Sequence, residues 1–371
     1  MSGQSTSAVK MTERQSTEQQ NSVARIGSIV YYMGSSIATQ FSSKSLLTIQ
    51  AFHFPISVTF LQMLFTAPVC YSVDRPAFQW KHAVAIMPLA AVNALNVVSG
   101  LIGTGGLNVP MFIVLRRFTM VFTLAIESYC GIKHDWQVLL AVAIMIVGAI
   151  LAAATDLTFS LYGYAAVLLN DIFTATYLVM LKNLPVSKEL STTSLLFYNS
   201  FLSLVPLLVV SIVLGEWNGI LAFPRASSAA FQITLLATVM LGLTINHSTY
   251  LCTRLNDPLT TSVAGSMKNI AMTVIGAMAF GDFTLHPWNA LGIAISMVGA
   301  IYYANHAAQN SAKRSSLSSK TSPICKGMHH PYQSCMFFSN LAPCDALTAT
   351  NHIFPGDHGQ MNQPRANQVH R

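Results

Sequence analysis

Leu107-Asn108-Val109-Pro110-Met111-Phe112-Ile113-Val114-Leu115-Arg116-Arg117-Phe118 is the stretch that decides the fold. It opens an apolar segment, 107–130, with two adjacent cations about midway along it. Upstream, no Asp, Glu, Lys or Arg occurs between Lys81 and Arg116. Similar charge-free runs cover 26–43, 45–73, 136–155, 190–215, 226–253 and 283–312. Crossing a bilayer takes about 20 predominantly apolar residues, so most of these runs can cross once. Of the 371 residues 52% are hydrophobic and only 9% charged, and the mean hydropathy is +0.49. Soluble domains carry about 25% charged residues. The composition therefore excludes a soluble globular enzyme and leaves an all-α integral membrane protein.

Ten transmembrane helices are expected, at 24–43, 52–72, 83–101, 107–130, 136–154, 161–181, 194–214, 229–251, 258–281 and 286–306. The joints carry Gly, Pro or charge: Asp74-Arg75-Pro76, Gly103-Thr104-Gly105-Gly106, Lys133-His134-Asp135, Asp156, 182–189, Gly215-Glu216 and Asp282. Residues 1–22, rich in Ser, Thr and Gln without an apolar core, read as a disordered cytosolic tail. With both termini in the cytosol, the loops on that side hold Arg75, Lys81, Lys133, Lys182, Lys188 and Arg254. The opposite loops hold only Lys44 and Arg225. Positive residues stay inside, so cytosolic termini and an even number of spans are expected. The net charge of +7 is explained by these loops and tails, not by nucleic-acid binding. No two of the six cysteines form a C-x-x-C pair, so neither a disulfide framework nor a zinc site is suggested.

The opening stretch also recurs. Leu107-Asn108-Val109-Pro110 returns as Leu255-Asn256-Asp257-Pro258, Trp136 as Trp288, and Val147-Gly148-Ala149-Ile150 as Val298-Gly299-Ala300-Ile301. The offsets are 148, 152 and 151, so order is kept and spacing nearly so. Spans four and five thus resemble spans nine and ten. An odd number of spans separates the copies, so they run in opposite directions. Two inverted five-helix repeats, 24–154 and 161–306, are expected between tails at 1–23 and 307–371.

Arg116 and Arg117 in span four and Lys268 in span nine are cations where charge is expensive. A central Arg or Lys costs about 2.5–3.5 kcal/mol even on lenient insertion scales. Such groups face water or a partner. Arg116, Thr119, Thr123 and Glu127 share one helical face, as do Thr261, Gly265 and Lys268. An intramembrane salt bridge, Arg116 with Glu127 or Asp171, is the competing reading of the first of these. Three cations against one clear mid-span acid, Asp171, point instead to an anionic cargo. Guanidinium and ammonium groups both suit phosphate oxygens. Pro110, Pro258 and Gly265 interrupt the same two segments, as binding helices of carriers often are.

Tyr31-Tyr32-Met33-Gly34-Ser35-Ser36 lies in span one, and Phe197-Tyr198-Asn199-Ser200 opens span seven. A nucleobase needs a flat surface to stack on and an amide or hydroxyl to read its edge. Tyr and Asn supply these, although Tyr198 near a helix end also fits an interfacial aromatic belt. Lys44 reads as an interface anchor that could also reach phosphate.

These residues resemble a known family. The chain is similar over roughly 23–305 to nucleotide-sugar transporters of the drug/metabolite transporter superfamily. Phe197-Tyr198-Asn199-Ser200 resembles the F-Y-N-N motif of Golgi GDP-mannose transporters, and Gly265-Ser266-Met267-Lys268-Asn269 their G-A-L-N-K motif. Tyr32-Met33-Gly34-Ser35-Ser36-Ile37 resembles their first-helix Y-C-G-S-S-I. Ser200 replaces the second Asn, and Lys268-Asn269 reverses the final pair. The 107–118 stretch resembles the fourth helix of the UDP-glucuronic acid/UDP-N-acetylgalactosamine type, which favours a UDP-sugar.

The resemblance implies a drug/metabolite transporter fold and an antiporter in the Golgi or endoplasmic reticulum membrane. It would carry a cytosolic UDP-sugar inward and return UMP. It implies nucleotide roles for Tyr32, Tyr198 and Asn199, with Phe197 beside them. It implies sugar-phosphate roles for Gly265, Ser266, Lys268 and Asn269. With Lys44, Arg116, Arg117 and Thr261 these form the expected site. The expected partners are UDP-sugar, UMP and membrane lipid, with a homodimer as a further candidate. No cofactor, metal or nucleic acid is expected. Other readings are a GDP-sugar or sugar-phosphate carrier of the same superfamily and a membrane-embedded glycosyl- or acyltransferase. Against the last, the spans contain no Asp-x-Asp pair and no acid–base constellation.

Overall fold

In hydrocarbon, backbone amides must be bonded within the protein, and a helix meets that demand inside one segment. The structure, a computed structural model, describes residues 2–106, 112, 115–153, 161–280 and 287–320. Among them there are helices and no strands. The main ones are α1 (Ser2–Lys44), α2 (Pro55–Asp74), α3 (Trp80–Gly106), α4 (Phe118–Tyr129), α5 (Trp136–Ala153) and α6 (Leu161–Asn183). A short α7 (Val186–Glu189) leads to α8 (Thr192–Val213), a short α9 (Glu216–Leu221), α10 (Ala229–Leu255), α11 (Pro258–Phe280) and α12 (Pro287–Lys320). Helices α2, α6, α8, α10 and the Trp80–Gly100 part of α3 are long and apolar enough to cross a membrane. The 107–110 landmark, the joints at Asp156 and Asp282, and the tail beyond 320 lie outside the described residues.

Gly103 to Gly106, expected as a joint, continue α3 to its end. The reason is solvent. Glycine weakens a helix by about 1 kcal/mol in water, but a broken helix in lipid leaves amides unbonded at a larger cost. Within α2, α3 and α8 the helix likewise runs through Pro68, Pro88 and Pro206.

The most extensive packing pairs α5 with α12, α3 with α6, α2 with α8 and α1 with α10. Between α5 and α12 the backbones touch. A methyl group on Gly148 would lie 2.6 Å from the Gly292 carbonyl oxygen and the Ser296 nitrogen. One on Gly299 would meet Met145 and the Ala141 carbonyl. The recurring Val-Gly-Ala-Ile landmark therefore lies at one crossing, where small residues let helices approach.

Apolar side chains turn outward as well as inward. Val205, Val209, Ile212 and Val213 of α8, and Ile233, Leu236 and Met240 of α10, are exposed. Such a surface is soluble only in lipid. One interior cluster joins Tyr177, Leu181, Tyr198 and Tyr250 across α6, α8 and α10. A second joins Met120, Met145, Val263 and Tyr303 across α4, α5, α11 and α12. Cys70 and Cys252 are free and buried.

The ends of the bundle are closed by polar contacts. At one end Lys182 Nζ donates to the Arg254 carbonyl (2.8 Å) and to that of Asn256. Arg25 Nε donates to the Leu255 carbonyl (3.0 Å). Cations thus satisfy the carbonyls that the C-terminus of α10 leaves free. At the other end the Glu216 carboxylate accepts from Ser57 N (2.7 Å), Ser57 Oγ (2.6 Å) and Ile56 N (3.3 Å). It caps α2 in the place of an N-cap side chain, since Phe54 supplies none. Gly215, at φ +71°, makes the turn that brings Glu216 there.

Candidate functional site

A polar strip runs between α1 and α11. On α1, Tyr32, Ser35 and Ser36 point inward; both serines are buried. The Tyr32 hydroxyl lies 3.2 Å from where a Gly265 side chain would begin. Gly265 therefore admits the phenol by having no side chain of its own. One turn on, Lys268 Nζ donates to Ser36 Oγ. The same ammonium stands 6.0 Å from the centre of the Tyr32 ring. Among the described residues no carboxylate pairs with Lys268, and its charged neighbour is the like-charged Arg116.

Arg116 enters from between α3 and α6. Its Nη1 points at Asn170 Oδ1, at Thr174 Oγ1 (3.3 Å) and at Asp171 Oδ1 (3.5 Å). Asp171 also accepts from Thr119 Oγ1 at 2.6 Å. Asn170 Nδ2 in turn donates to the Asn96 carbonyl (2.6 Å) and to Asn96 Oδ1 (2.8 Å). Thr174 donates to Asn96 Oδ1 as well (2.6 Å). The salt bridge weighed from sequence is thus formed by Asp171. Sequence reading missed Asn96, Asn170 and Thr174, although their signal was available as amides and hydroxyls inside apolar runs.

Arg117 points the other way. It is 2% exposed and donates to Ser296 Oγ on α12, which itself donates to the Met145 carbonyl (2.9 Å). Adjacent helical residues diverge by about 100°, so the two arginines serve different interfaces.

The remaining expected residues divide. Thr261 accepts from Thr253 Oγ1 (3.2 Å) and belongs to the α10–α11 contact. Ser262 bonds Thr123 Oγ1 (3.0 Å) and joins α11 to α4. Ser266 is buried, and Asn269 is half-buried with a partner of its own. Lys44 ends α1. Twelve residues separate it from Tyr32, about 18 Å along the axis, so it lies apart from the Lys268 strip.

Tyr198 is fully buried at the start of α8. Its hydroxyl accepts from Gln79 N (2.8 Å) and donates to the Ala77 carbonyl (3.1 Å), and Phe78 stacks on its ring. Phe197 packs against Tyr71 and Phe201. These two aromatics are committed to the α2–α3 connection. Asn199 differs. It is 1% exposed, yet neither its oxygen nor its nitrogen has a partner, and Ser200 Oγ beside it also lacks one. Buried polar groups are normally bonded.

A multi-pass, all-helical membrane protein with a polar, cationic interior is the class that this fold and site define. The Triose-phosphate Transporter family matches residues 24–304. The mouse Nucleotide sugar transporter SLC35D2 (Mus musculus) is 35% identical over 288 residues, covering 76% of this chain and 88% of its own. The UDP-sugar transporter sqv-7 of Caenorhabditis elegans is 34% identical over 297 residues, with 78% and 90% covered. The UDP-sugar transporter UST74c of Drosophila melanogaster is 33% identical over 291 residues, with 76% and 77% covered. One solved crystal structure shares the fold at a TM-score of 0.56 and 13% identity, over 78% of this chain and 98% of that one. The chain belongs to the Triose-phosphate Transporter family, within the drug/metabolite transporter superfamily, and is a transporter rather than an enzyme.

Proposed function

We propose that the protein is a nucleotide-sugar antiporter of Golgi or endoplasmic reticulum membranes. It moves a cytosolic UDP-sugar into the lumen and returns UMP by alternating access, with both termini in the cytosol. The observation that carries this reading is Lys268: a mid-helix ammonium bonded to the Ser36 hydroxyl, beside the Tyr32 ring, without an acid among the described residues. A phosphate supplies the missing counter-charge, and a tyrosine beside it supplies a surface for a base or sugar. The relatives named as UDP-sugar transporters support the choice of cargo.

Two inverted five-helix repeats, 24–154 and 161–306, are part of the proposal. The packing pattern supports them. Exchanging each expected span with the one five places away turns the α3–α6 pair into α10–α1, and α3–α8 into α10–α2. It turns α2–α8 and α5–α12 into themselves. All of these pairs are in extensive contact.

Exchange follows from charge. Carrying the bare Lys268 ammonium through the closed, dry state costs several kcal/mol. A bound phosphate removes that cost, so either nucleotide carries the conformational change better than the empty protein. Proteoliposomes test this. Uptake of labelled UDP-N-acetylglucosamine should rise when UMP is preloaded and fall in competition with external UMP. Equal uptake into empty and preloaded vesicles would reject obligatory exchange, and competition by triose phosphate but not by UMP would reject the nucleotide.

A further inference from the structure

The buried carboxylate of Asp171 faces Arg116 rather than Lys268. It is 0% exposed, whereas the Arg116 side chain facing it is 29% exposed. It lies on α6, and Arg116 precedes α4, so the pair joins two separate elements. The pairing is incomplete. The Nη1–Oδ1 distance is 3.5 Å, longer than a charge-assisted hydrogen bond of about 2.8 Å. Asp171 Oδ2 has no partner. The firmer bonds to Arg116 come from neutral groups, Asn170 and Thr174, which Asn96 orients in turn. Gly100 lets α3 come this close, since a methyl group there would stand 3.0 Å from Asn170 Nδ2.

This division of labour has a consequence. Asn170 and Thr174 fix where the guanidinium sits without satisfying its charge. Asp171 satisfies the charge weakly and from one side. We propose that Asp171 is a resident counter-charge: it neutralises Arg116 while the carrier is empty and competes with the cargo's phosphate for it. It acts through Arg116 and is therefore a positioning residue. The proposal rests on the nucleotide reading above. Lys268, lacking such an acid, attracts the phosphate first. Arg116 then shares its charge between phosphate and Asp171. The competition weakens binding and so speeds release, because the carboxylate takes the guanidinium back as the phosphate leaves.

The test compares UMP, which carries the phosphate, with uridine, which lacks it. Half-saturating concentrations are read from ligand-induced thermal stabilisation of the purified full chain. The quantity of interest is the preference for UMP over uridine. Asp171→Asn keeps the shape and the Thr119 bond but removes the competitor, so the preference should rise about tenfold. Glu216→Gln removes a buried carboxylate charge at one end of the bundle and should leave the preference unchanged. An equal rise in both variants, or no rise in folded Asp171→Asn, overturns the proposal. Should Asp171→Asn not fold, Arg116→Gln/Asp171→Asn is compared with Arg116→Gln alone. In the single variant the unpaired carboxylate repels phosphate, so the double variant must prefer UMP more strongly; equal preferences overturn the proposal. A wild-type protein indifferent to the phosphate overturns it through its premise, whereas wild-type preference with no change in the variants overturns it alone.

Discussion

The Lys268 ammonium donates to the Ser36 hydroxyl and so ties α11 to α1. That bond joins the first helix to a helix more than 200 residues later, and Tyr32 lies beside the same ammonium. Charge here costs insertion energy and is retained anyway. Lys268→Ala should therefore lower uptake by about 10- to 100-fold, the equivalent of losing one charge-assisted hydrogen bond. The protein should stay in the membrane at normal abundance. Lys268→Arg should recover part of the activity, because the charge remains while the point-like geometry is lost. Transport in reconstituted vesicles, scaled to protein content, measures both. Loss of the protein itself would show that the lysine is structural.

Much of the fold was legible because membrane helices announce themselves through what they lack. The charge-free runs located α2, α3, α8 and α10 to within several residues, and α6 was legible as an apolar segment interrupted only by Asp171. Arg116 and Lys268 were legible for the same reason: a cation in such a run is an exception that needs a cause. Directions were harder. Arg117 read as one of three mid-span cations for an anionic cargo, and it donates to Ser296 in another interface. The 100° turn per residue could have separated the two. Tyr198 could not have been resolved this way. Its hydroxyl is engaged by Ala77 and Gln79, about 120 positions earlier, and no local pattern encodes that contact. The Asn96–Asn170 pair, 74 residues apart, is invisible for the same reason.

Asn199 has a buried amide with both ends unbonded. Leaving such a group unpaired costs about 1–3 kcal/mol. A residue kept at that cost contributes something other than stability, and reading a base edge fits its chemistry. Asn199→Ala should raise thermal stability, or leave it unchanged, while lowering uptake at least about tenfold. Vesicle transport should fall while the melting temperature of the detergent-purified protein rises or holds. A drop in stability together with transport would mean that the amide has a structural partner.

Glu216 holds the first turn of α2 from a different element, through Ser57 and Ile56. The carboxylate satisfies amides that the helix leaves free and opposes the positive end of its dipole. Glu216→Ala should cost about 1–3 kcal/mol. Glu216→Gln should cost less, since the amide oxygen still accepts. Both should leave the affinity for UMP unchanged, because the cap lies at one end of the bundle and Lys268 at mid-helix. Thermal unfolding with and without UMP separates the two effects. A changed UMP affinity would connect this end of the bundle to the site.

Gly148 and Gly34 make opposite predictions for one chemical change. A methyl group on Gly148 would stand 2.6 Å from the Gly292 carbonyl oxygen and the Ser296 backbone nitrogen, and backbone cannot swing aside. Gly148→Ala should force α5 and α12 apart, and Gly148→Leu should abolish the folded protein, at a cost above about 3 kcal/mol. Ser296 would move too, and with it the acceptor of Arg117. A methyl group on Gly34 would meet nothing within 4 Å. Alanine there gains helix propensity of up to about 1 kcal/mol over glycine. Gly34→Ala should therefore leave yield intact or improve it. Size-exclusion profiles of fluorescent fusions, compared at equal expression, decide between the two. A monodisperse Gly148→Leu protein would mean that α5 and α12 do not cross at this glycine.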